Sequence, residues 1–462
     1  MSHAVEAPTQ PQDGTWQPRL VALVCNWCTY TGADMAGTSR RAYEPNVRIV
    51  RFLCTGRLDP LFIVKAFENG ADGVIASGCH PGDCHYAQGN YLARRRFTVF
   101  RSLMDLLGLD PRRLHFAWVS ASEGVKWASV VDQATAAVRE AGPLGGWAAP
   151  AGWDGAPIVL PEPEAEPRTP SYGPELTAAL RESAASLLAE GQVAVVVGHA
   201  EGPLPGQTVP AFATTPEEAG QLVWDERCAA NLAVHLPEAL RRRRGEGKIG
   251  LVVKSCDEKA VGGLLRENQL TRDDVVLIGA PCDGVWPDGK LAYKCYACEE
   301  ALAASADVTV GDAPAPGTRV VAPDPRDAQL DALEQLSPEE RRAYWQPQLD
   351  RCIRCYACRA VCPLCYCATC IAEKNKPQWI QQGISGPGNT AWNVARAMHL
   401  AGRCVGCDEC ARVCPADIRL DLLNRSIARE VEASFGYRAE ADPSTAAPLT
   451  TFRPDDPGEA FL

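Results

Sequence analysis

The sequence predicts an α/β protein: two parallel-sheet α/β domains followed by a small α-rich domain. Three observations carry that reading. The chain has 462 residues, about three domains at roughly 150 residues each. Twice along it, short apolar runs alternate with helical patterns, an order that yields a parallel sheet covered on both faces. Beyond Pro338 the texture changes to short helices punctuated by cysteine. Charged residues at 22% and hydrophobic residues at 46% are ordinary globular usage and too apolar for a disordered chain. The balance of 46 basic against 57 acidic residues gives −11, which disfavours nucleic acid as a partner. No apolar run approaches the ~20 residues that span a bilayer, and the start MSHAVEAPTQPQDG lacks a basic-then-apolar signal pattern. A soluble, cytoplasmic chain without membrane insertion is expected.

Residues 1–19 are rich in Pro, Gln and Gly and read as a flexible lead-in. The first domain, 20–142, has strands expected at 20–24, 47–53, 73–76 and 114–119, with helices near 61–69, 87–107 and 123–141. Cys25 and Cys28 follow the first strand, Cys54 the second, Cys79 and Cys84 the third, and Ser120 and Ser122 the fourth. All lie at carboxyl ends of strands, on the rim where open α/β sheets place ligands. Residues 143–174 form a Pro/Gly/Ala linker without a usable period. The central α/β domain, 175–310, has strands expected at 193–197, 249–253, 275–278 and 308–310, and helices at 175–190, 217–244, 258–268 and 291–304. Residues 311–345 read as a connector, 346–437 as the helical domain with helices at 389–401 and 418–435, and 438–462 as a tail.

The chemistry lies in 21 cysteines, grouped five in 25–84, five in 228–298 and eleven in 352–414. Without a signal peptide or a small loop-rich chain, such groups read as metal sites rather than a disulfide framework. Cys352, Cys355, Cys358 and Cys362 follow the pattern CxxCxxCxxxCP, and Cys404, Cys407, Cys410 and Cys414 repeat it. In two-cluster ferredoxins the fourth cysteine of each run ligates the other cluster. One [4Fe-4S] cluster is therefore assigned to Cys352, Cys355, Cys358 and Cys414, and a second to Cys404, Cys407, Cys410 and Cys362, making 346–437 a dicluster ferredoxin-like domain. Zinc knuckles fit less well, because they use paired half-sites rather than triple runs ending in Cys-Pro.

Three further groups are expected to bind metal. Between the two runs, Cys365, Cys367 and Cys370 offer three corners of a further cluster, with Cys228 available as a fourth ligand; buried thiols or zinc ligands are the alternative. Cys256, Cys282, Cys295 and Cys298 form a further expected [4Fe-4S] site, with zinc or reduced buried thiols as the alternative. Four of Cys25, Cys28, Cys54, Cys79 and Cys84 are expected to hold a two-iron or four-iron cluster. Cys25-Asn26-Trp27-Cys28 alone would suit a thiol–disulfide enzyme, but such an enzyme needs no companions on the same rim. His80 and His85 read as hydrogen-bonded histidines rather than ligands. Arg241–Arg244 reads as a solvated helix end, and 383–389 as a turn before a helix, lacking the Lys-Ser/Thr of a phosphate loop.

The residues around these cysteines resemble two known families. Cys25-Asn26-Trp27-Cys28-Thr29-Tyr30-Thr31-Gly32-Ala33-Asp34, Gly37-Thr38-Ser39-Arg40, Pro45-Asn46-Val47-Arg48 and Gly78-Cys79-His80-Pro81-Gly82-Asp83-Cys84-His85-Tyr86 resemble the delta subunit of methyl-viologen-reducing hydrogenases, MvhD, over residues 20–142. The resemblance implies one [2Fe-2S] cluster on the first group. It also implies partners: a hydrogenase or formate dehydrogenase catalytic subunit, and an HdrA-like flavoprotein, the flavin subunit of heterodisulfide reductase. Residues 175–437 are similar to beta subunits of deazaflavin-linked hydrogenases and formate dehydrogenases. The similarity is carried by Leu222-Val223-Trp224, Lys254-Ser255-Cys256-Asp257, Glu267-Asn268-Gln269, Cys362-Pro363-Leu364-Cys365-Tyr366-Cys367 and the segment from Arg396 to Cys404. Some members bind FAD and reduce the deazaflavin coenzyme, and others are iron–sulfur relays; no dinucleotide fingerprint is present here.

The function expected is an iron–sulfur electron-transfer subunit of an anaerobic oxidoreductase complex, without a bond-making active site of its own. A flavin-dependent reductase fed by its own clusters and a zinc-stabilised scaffold are the alternatives.

Overall fold

The computed structural model describes residues 16–145, 157–242, 247–312 and 319–458. Most of the lead-in, the middle of the linker, the end of the Arg241–Arg244 run and part of the connector lie outside them. The first domain runs β1 (Leu20–Cys25), α1 (Thr29–Thr38), β2 (Val47–Phe52), α2 (Pro60–Glu68), β3 (Gly73–Gly78), α3 (Gly89–Leu106), β4 (Leu114–Trp118) and α4 (Gly124–Ala141). Its sheet is wholly parallel with order β2-β1-β3-β4. Strand order reverses around β1, so a crevice opens past the carboxyl ends of β1 and β3, the usual ligand position in such sheets. Helix α1 was not expected. Its segment TYTGADMAGT has little apolar amphipathicity, and it packs through small residues instead. A Cβ on Gly32 would stand 2.7 Å from the Ser120 carbonyl oxygen, and one on Gly124 would stand 2.8 Å from the Ala36 nitrogen.

The central domain contains α5 (Pro174–Ala189), β5 (Val193–Glu201), β6 (Thr208–Ala213), α6 (Pro216–Ala219), β7 (Leu222–Val223), α7 (Leu236–Arg242), β8 (Lys248–Val253), α8 (Ser255–Arg266), β9 (Val275–Gly279) and β10 (Val308–Thr309). Strands β10-β9-β8-β5 are parallel, while β6 and β7 pair antiparallel with β5. The parallel-sheet expectation holds for the body of the sheet, with an antiparallel edge added by β6 and β7. The single helix expected over 217–244 is corrected. After α6 the chain turns back to the sheet, because buried Trp224 donates its indole N–H to the Pro281 carbonyl at 2.7 Å and Asp225 receives the Arg227 N–H and guanidinium. No helix forms over 291–304 beyond a short turn at Tyr293–Cys295, since this loop follows the Cys282 segment, whose N–H donates to Ala301.

The helical domain comprises α9 (Pro325–Glu334), α10 (Pro338–Asp350), α11 (Ala357–Ala360), α12 (Gly386–His399), α13 (Glu409–Arg412) and α14 (Leu420–Phe435). The stretch read as a connector therefore holds α9 and part of α10, and buries Leu330, Leu333 and Trp345. This domain is wedged against both sheets. Trp392 and Ile427 share a core with α2 and α3 of the first domain, whereas Leu364 and Leu400 share one with the central sheet. Each such buried aliphatic side chain contributes roughly 1.5–3 kcal/mol.

Two segments without a core-forming pattern are nonetheless fixed. The tail returns over α3, where Phe452 stacks on Tyr91 with ring centres 4.7 Å apart and the buried Arg95 guanidinium donates to Asp456 at 2.5 and 2.7 Å. The described end of the linker, 157–173, forms a strap across the central domain. Glu166 accepts from Trp286 Nε1 at 2.7 Å and from the Leu291 N–H at 2.9 Å. No helix among the described residues is long and apolar enough to cross a membrane.

Candidate metal centres

All five cysteines of the first domain meet in the crevice. Cys25 ends β1, Cys28 precedes α1, and Cys54, Cys79 and Cys84 come from the loops after β2 and β3. Two sulfur pairs stand close, Cys25–Cys79 at 3.7 Å and Cys54–Cys84 at 3.6 Å. That is about the separation of two sulfurs bound ~2.3 Å from one tetrahedral metal. Cys28 lies beside Cys79 and is half-buried. The start of α3 touches the group, and a Cβ on Gly89 would stand 2.4 Å from the Cys54 sulfur, so only glycine fits. Asn90 clamps the loop by donating to the Cys79 and His80 carbonyls at 3.1 and 2.5 Å.

The titration of these thiols reflects their contact. The hydrogen bond shared with Cys79 holds Cys25 down to about 6 and pushes Cys79 itself up, and burial raises Cys54 to about 11. His80 Nε2 pairs with Glu123 at 2.7 Å, and His85 stacks on Trp27 at 3.8 Å, so both histidines have structural partners.

The two ferredoxin-like runs fold alike. In each, the residues before and after the second cysteine are left-handed: Arg354 (φ 54°) and Tyr356 (φ 60°) around Cys355, Gly406 (φ 67°) and Asp408 (φ 60°) around Cys407. Those turns bring the cysteines of each run within electrostatic reach of one another, and α11 or α13 then carries the third. The last cysteine of each run lies near thiols of the other run. Cys358 lies within electrostatic reach of Cys352, Cys355 and Cys414, whereas Cys407 and Cys410 lie within reach of Cys404 and Cys362. Buried Arg396 stands between the groups, close to Cys358, Cys362 and Cys410, and donates to the Cys358 carbonyl at 3.0 Å. Asn424 donates to the Cys410 sulfur at 3.3 Å. Burial pushes Cys404 up to about 11 and Cys410 higher still. Such thiols lose their protons on binding a cationic metal core, and the all-sulfur donor set fits an iron–sulfur cluster, with Cys407 and Cys410 buried and Cys355 at the surface.

In the central domain Cys256 opens α8, Cys282 follows β9, and Cys295 and Cys298 lie in the next loop. Their charges interact across one space, and burial raises Cys256 to about 12 and Cys295 to about 11. A cavity of about 620 Å³ has Cys256 and Cys298 on one side and Cys362, Cys404, Cys407 and Cys410 on the other. Between them Lys294, from the central loop, donates to the Cys407 carbonyl at 3.0 Å. The strap adds Arg168, Tyr172 and Glu166 to the surroundings of this site. Sequence spacing carries no signal for these side chains, because they reach the thiols from remote positions.

The insertion is arranged differently. Cys365 contacts Cys362, which donates to it and lowers it, and Arg359 gathers the segment by donating to the Cys367 carbonyl at 3.0 Å and to Glu373 at 2.6 Å. Cys228 is not brought to this group. Among the described residues its sulfur meets the Val223 carbonyl at 3.7 Å, the Asp225 N–H at 3.4 Å and the Asp225 carboxylate at 3.9 Å rather than a thiol.

Comparison with known proteins places the two ends of the chain. Residues 20–142 match the family described as methyl-viologen-reducing hydrogenase, delta subunit. The iron-sulfur D subunit of the F420-non-reducing hydrogenase of Archaeoglobus profundus is 52% identical over 129 residues, 28% of this chain and 94% of that protein. The chain belongs to the methyl-viologen-reducing hydrogenase delta-subunit family. The same delta-subunit region is 48% identical over 128 residues to the vhc iron-sulfur D subunit of the F420-non-reducing hydrogenase of Methanococcus voltae, 28% of this chain and 89% of that protein. A more distant likeness joins it to the HdrA-type protein of Methanosarcina acetivorans, the A subunit of its ferredoxin/F420H2-dependent CoB-CoM heterodisulfide reductase. There the identity is 40% over 128 residues, 28% of this chain and 16% of that protein. Residues 351–419 match the 4Fe-4S dicluster domain, so this delta-subunit relative carries a dicluster domain at its other end.

Proposed function

We propose that the chain is an iron–sulfur electron-transfer subunit. It passes electrons between a hydrogenase or formate dehydrogenase module and a heterodisulfide-reductase-like flavoprotein in a hetero-oligomeric complex. The observation that carries this reading is the packing of successive thiol groups against one another. Cys256 and Cys298 of the central domain line one cavity with Cys362, Cys404, Cys407 and Cys410, and Arg396 lies within electrostatic reach of Cys362 and Cys410 on one side and of Cys358 on the other. The names of the relatives, hydrogenase subunits on one hand and a heterodisulfide reductase component on the other, support the choice of partners. In the delta-subunit region the two close sulfur pairs suit a [2Fe-2S] cluster with Cys25 and Cys79 on one iron, Cys54 and Cys84 on the other, and Cys28 as the fifth thiol.

A bound cluster supplies a one-electron redox couple. The protein holds the sulfurs in place, excludes water and sets the potential through charges and hydrogen bonds. Buried Arg396 and Lys294 favour the reduced, more negative state of their neighbours, and the Asn424 amide does the same for Cys410.

Anaerobic titration with dithionite tests the reading. The expected result is bleaching of a brown protein with uptake of about four electrons, one each for two dicluster sites, the central site and the [2Fe-2S] site. A protein that holds its iron yet takes up no electrons would overturn it.

A further inference from the structure

Arg168 is 8% exposed, and its Nε, Nη1 and Nη2 all lack a hydrogen-bond partner among the described residues. Guanidinium groups stay charged in proteins and carry five donors, and a buried charge left unpaired is strongly destabilising. The groups within its electrostatic reach are Cys295, Cys298, Asp283 and a second cation, Arg319. Arg319 itself donates to the Cys298 sulfur at 3.5 Å. The side chain is not free to swing away. Two residues before it, Glu166 is tied to Trp286 and Leu291; four residues after it, the Tyr172 hydroxyl accepts from the Asp283 N–H at 2.9 Å and donates to the Gly284 carbonyl at 2.5 Å. The strap is thus pinned on both sides of Arg168 to the loops that carry Cys282 and Cys295.

Protonated thiols are neutral and weak acceptors, and the Asp283 charge within reach makes no hydrogen bond to the fork, so its five donors stay unused. Four thiolates around a four-iron core carry net negative charge and present sulfur acceptors. The orphaned fork therefore specifies what occupies the site: an anionic group rich in acceptors. We propose that Arg168 donates hydrogen bonds to the sulfurs of a cluster seated on Cys256, Cys282, Cys295 and Cys298, and thereby raises the reduction potential of that cluster. The proposal rests on the reading of the central thiols as a cluster site. Both net charge and hydrogen bonds to sulfur move such potentials upward by stabilising the reduced form. Arg168 is a positioning and tuning residue.

The test uses the full chain, purified anaerobically, as wild type, Arg168→Met, Arg168→Lys and Cys298→Ala. Iron is counted, and the clusters are titrated redox-potentiometrically with detection by electron paramagnetic resonance; the signal lost in Cys298→Ala marks the central cluster. Arg168→Met is expected to keep its iron and shift only that signal to lower potential, with Arg168→Lys restoring part of the shift. An unchanged midpoint in an iron-replete Arg168→Met protein would overturn the proposal. Loss of about four irons in both Arg168 variants would also overturn it, by showing a structural requirement rather than tuning. If Cys298→Ala loses neither iron nor any signal, the central-cluster reading itself falls, an outcome distinct from the other two.

Discussion

Alanine at Cys362 removes about four iron atoms from the chain, and the resonance signal that disappears is the one that Cys404→Ala abolishes, not the one that Cys352→Ala abolishes. Cys414→Ala shows the reverse pairing and matches Cys352→Ala. The expectation follows from the proposed exchange of fourth ligands between the two runs. Cys362 lies ten residues after Cys352 in sequence, but its charge neighbours are Cys365, Cys404, Cys407 and Cys410, and Cys414 stands with Cys358 instead. Iron analysis together with spectra of the four single variants checks it. Cys362→Ala grouping with Cys352→Ala would mean that each run closes its own cluster.

The second large effect lies far from any thiol. Asp456→Ala leaves Arg95 buried without its carboxylate, at a cost of about 3–5 kcal/mol, and releases the tail from α3. The side chains of this pair are 4% and 3% exposed, and Arg95 also donates to the Pro448 carbonyl at 2.9 Å, so water cannot readily replace the lost partner. Thermal unfolding under argon is expected to show a clearly lowered midpoint for Asp456→Ala. Arg95→Met combined with Asp456→Ala should recover part of the loss, because the buried Arg95 charge is removed together with its partner, while Arg94 keeps the Arg453 and Pro454 carbonyls.

The pH dependence of this contact has a definite sign. Burial alone raises the Asp456 carboxyl, but hydrogen bonds from Arg95 and the Arg453 N–H, with the charges of Arg95 and Arg94, outweigh it and hold the group below the usual carboxylate range. Its contribution is therefore complete above the unfolded value near ~3.9 and is lost as the pH falls through the lower folded value. An unfolding midpoint left unchanged by Asp456→Ala would contradict this account of the tail.

Much of the fold could be read from the sequence wherever the signal was local. The strands of the first domain are short, mostly apolar runs alternating with helical patterns, and their boundaries agree with β1–β4 to within two residues. The ferredoxin-like runs were legible for the same reason, since three of four ligands come from one short loop. Failures occur where long-range contacts decide. Over 217–244 the composition suits a helix, but burial of Trp224 against Pro281 draws the chain back to the sheet. Helix α1 escaped notice because close packing of Gly32 and Ala36 against α4, not an apolar stripe, holds it.

The same distinction separates ligands from their surroundings. Cysteine spacing marks where sulfurs meet, but nothing in a Pro-rich stretch marks Arg168, nor does anything near Cys295 show that Lys294 reaches the Cys407 carbonyl. Charges that tune a site arrive from whichever element the fold brings near. Their sequence positions carry no period, so only the folded chain reveals them.

Iron and zinc per chain after anaerobic purification test the central claim most directly. Two dicluster sites and one [2Fe-2S] site require about 10 iron atoms, and a cluster on Cys256, Cys282, Cys295 and Cys298 raises the sum to about 14. The electron-relay account predicts about 14 iron atoms or more with little zinc. Substantial zinc with little iron would contradict it and make the chain a metal-stabilised scaffold.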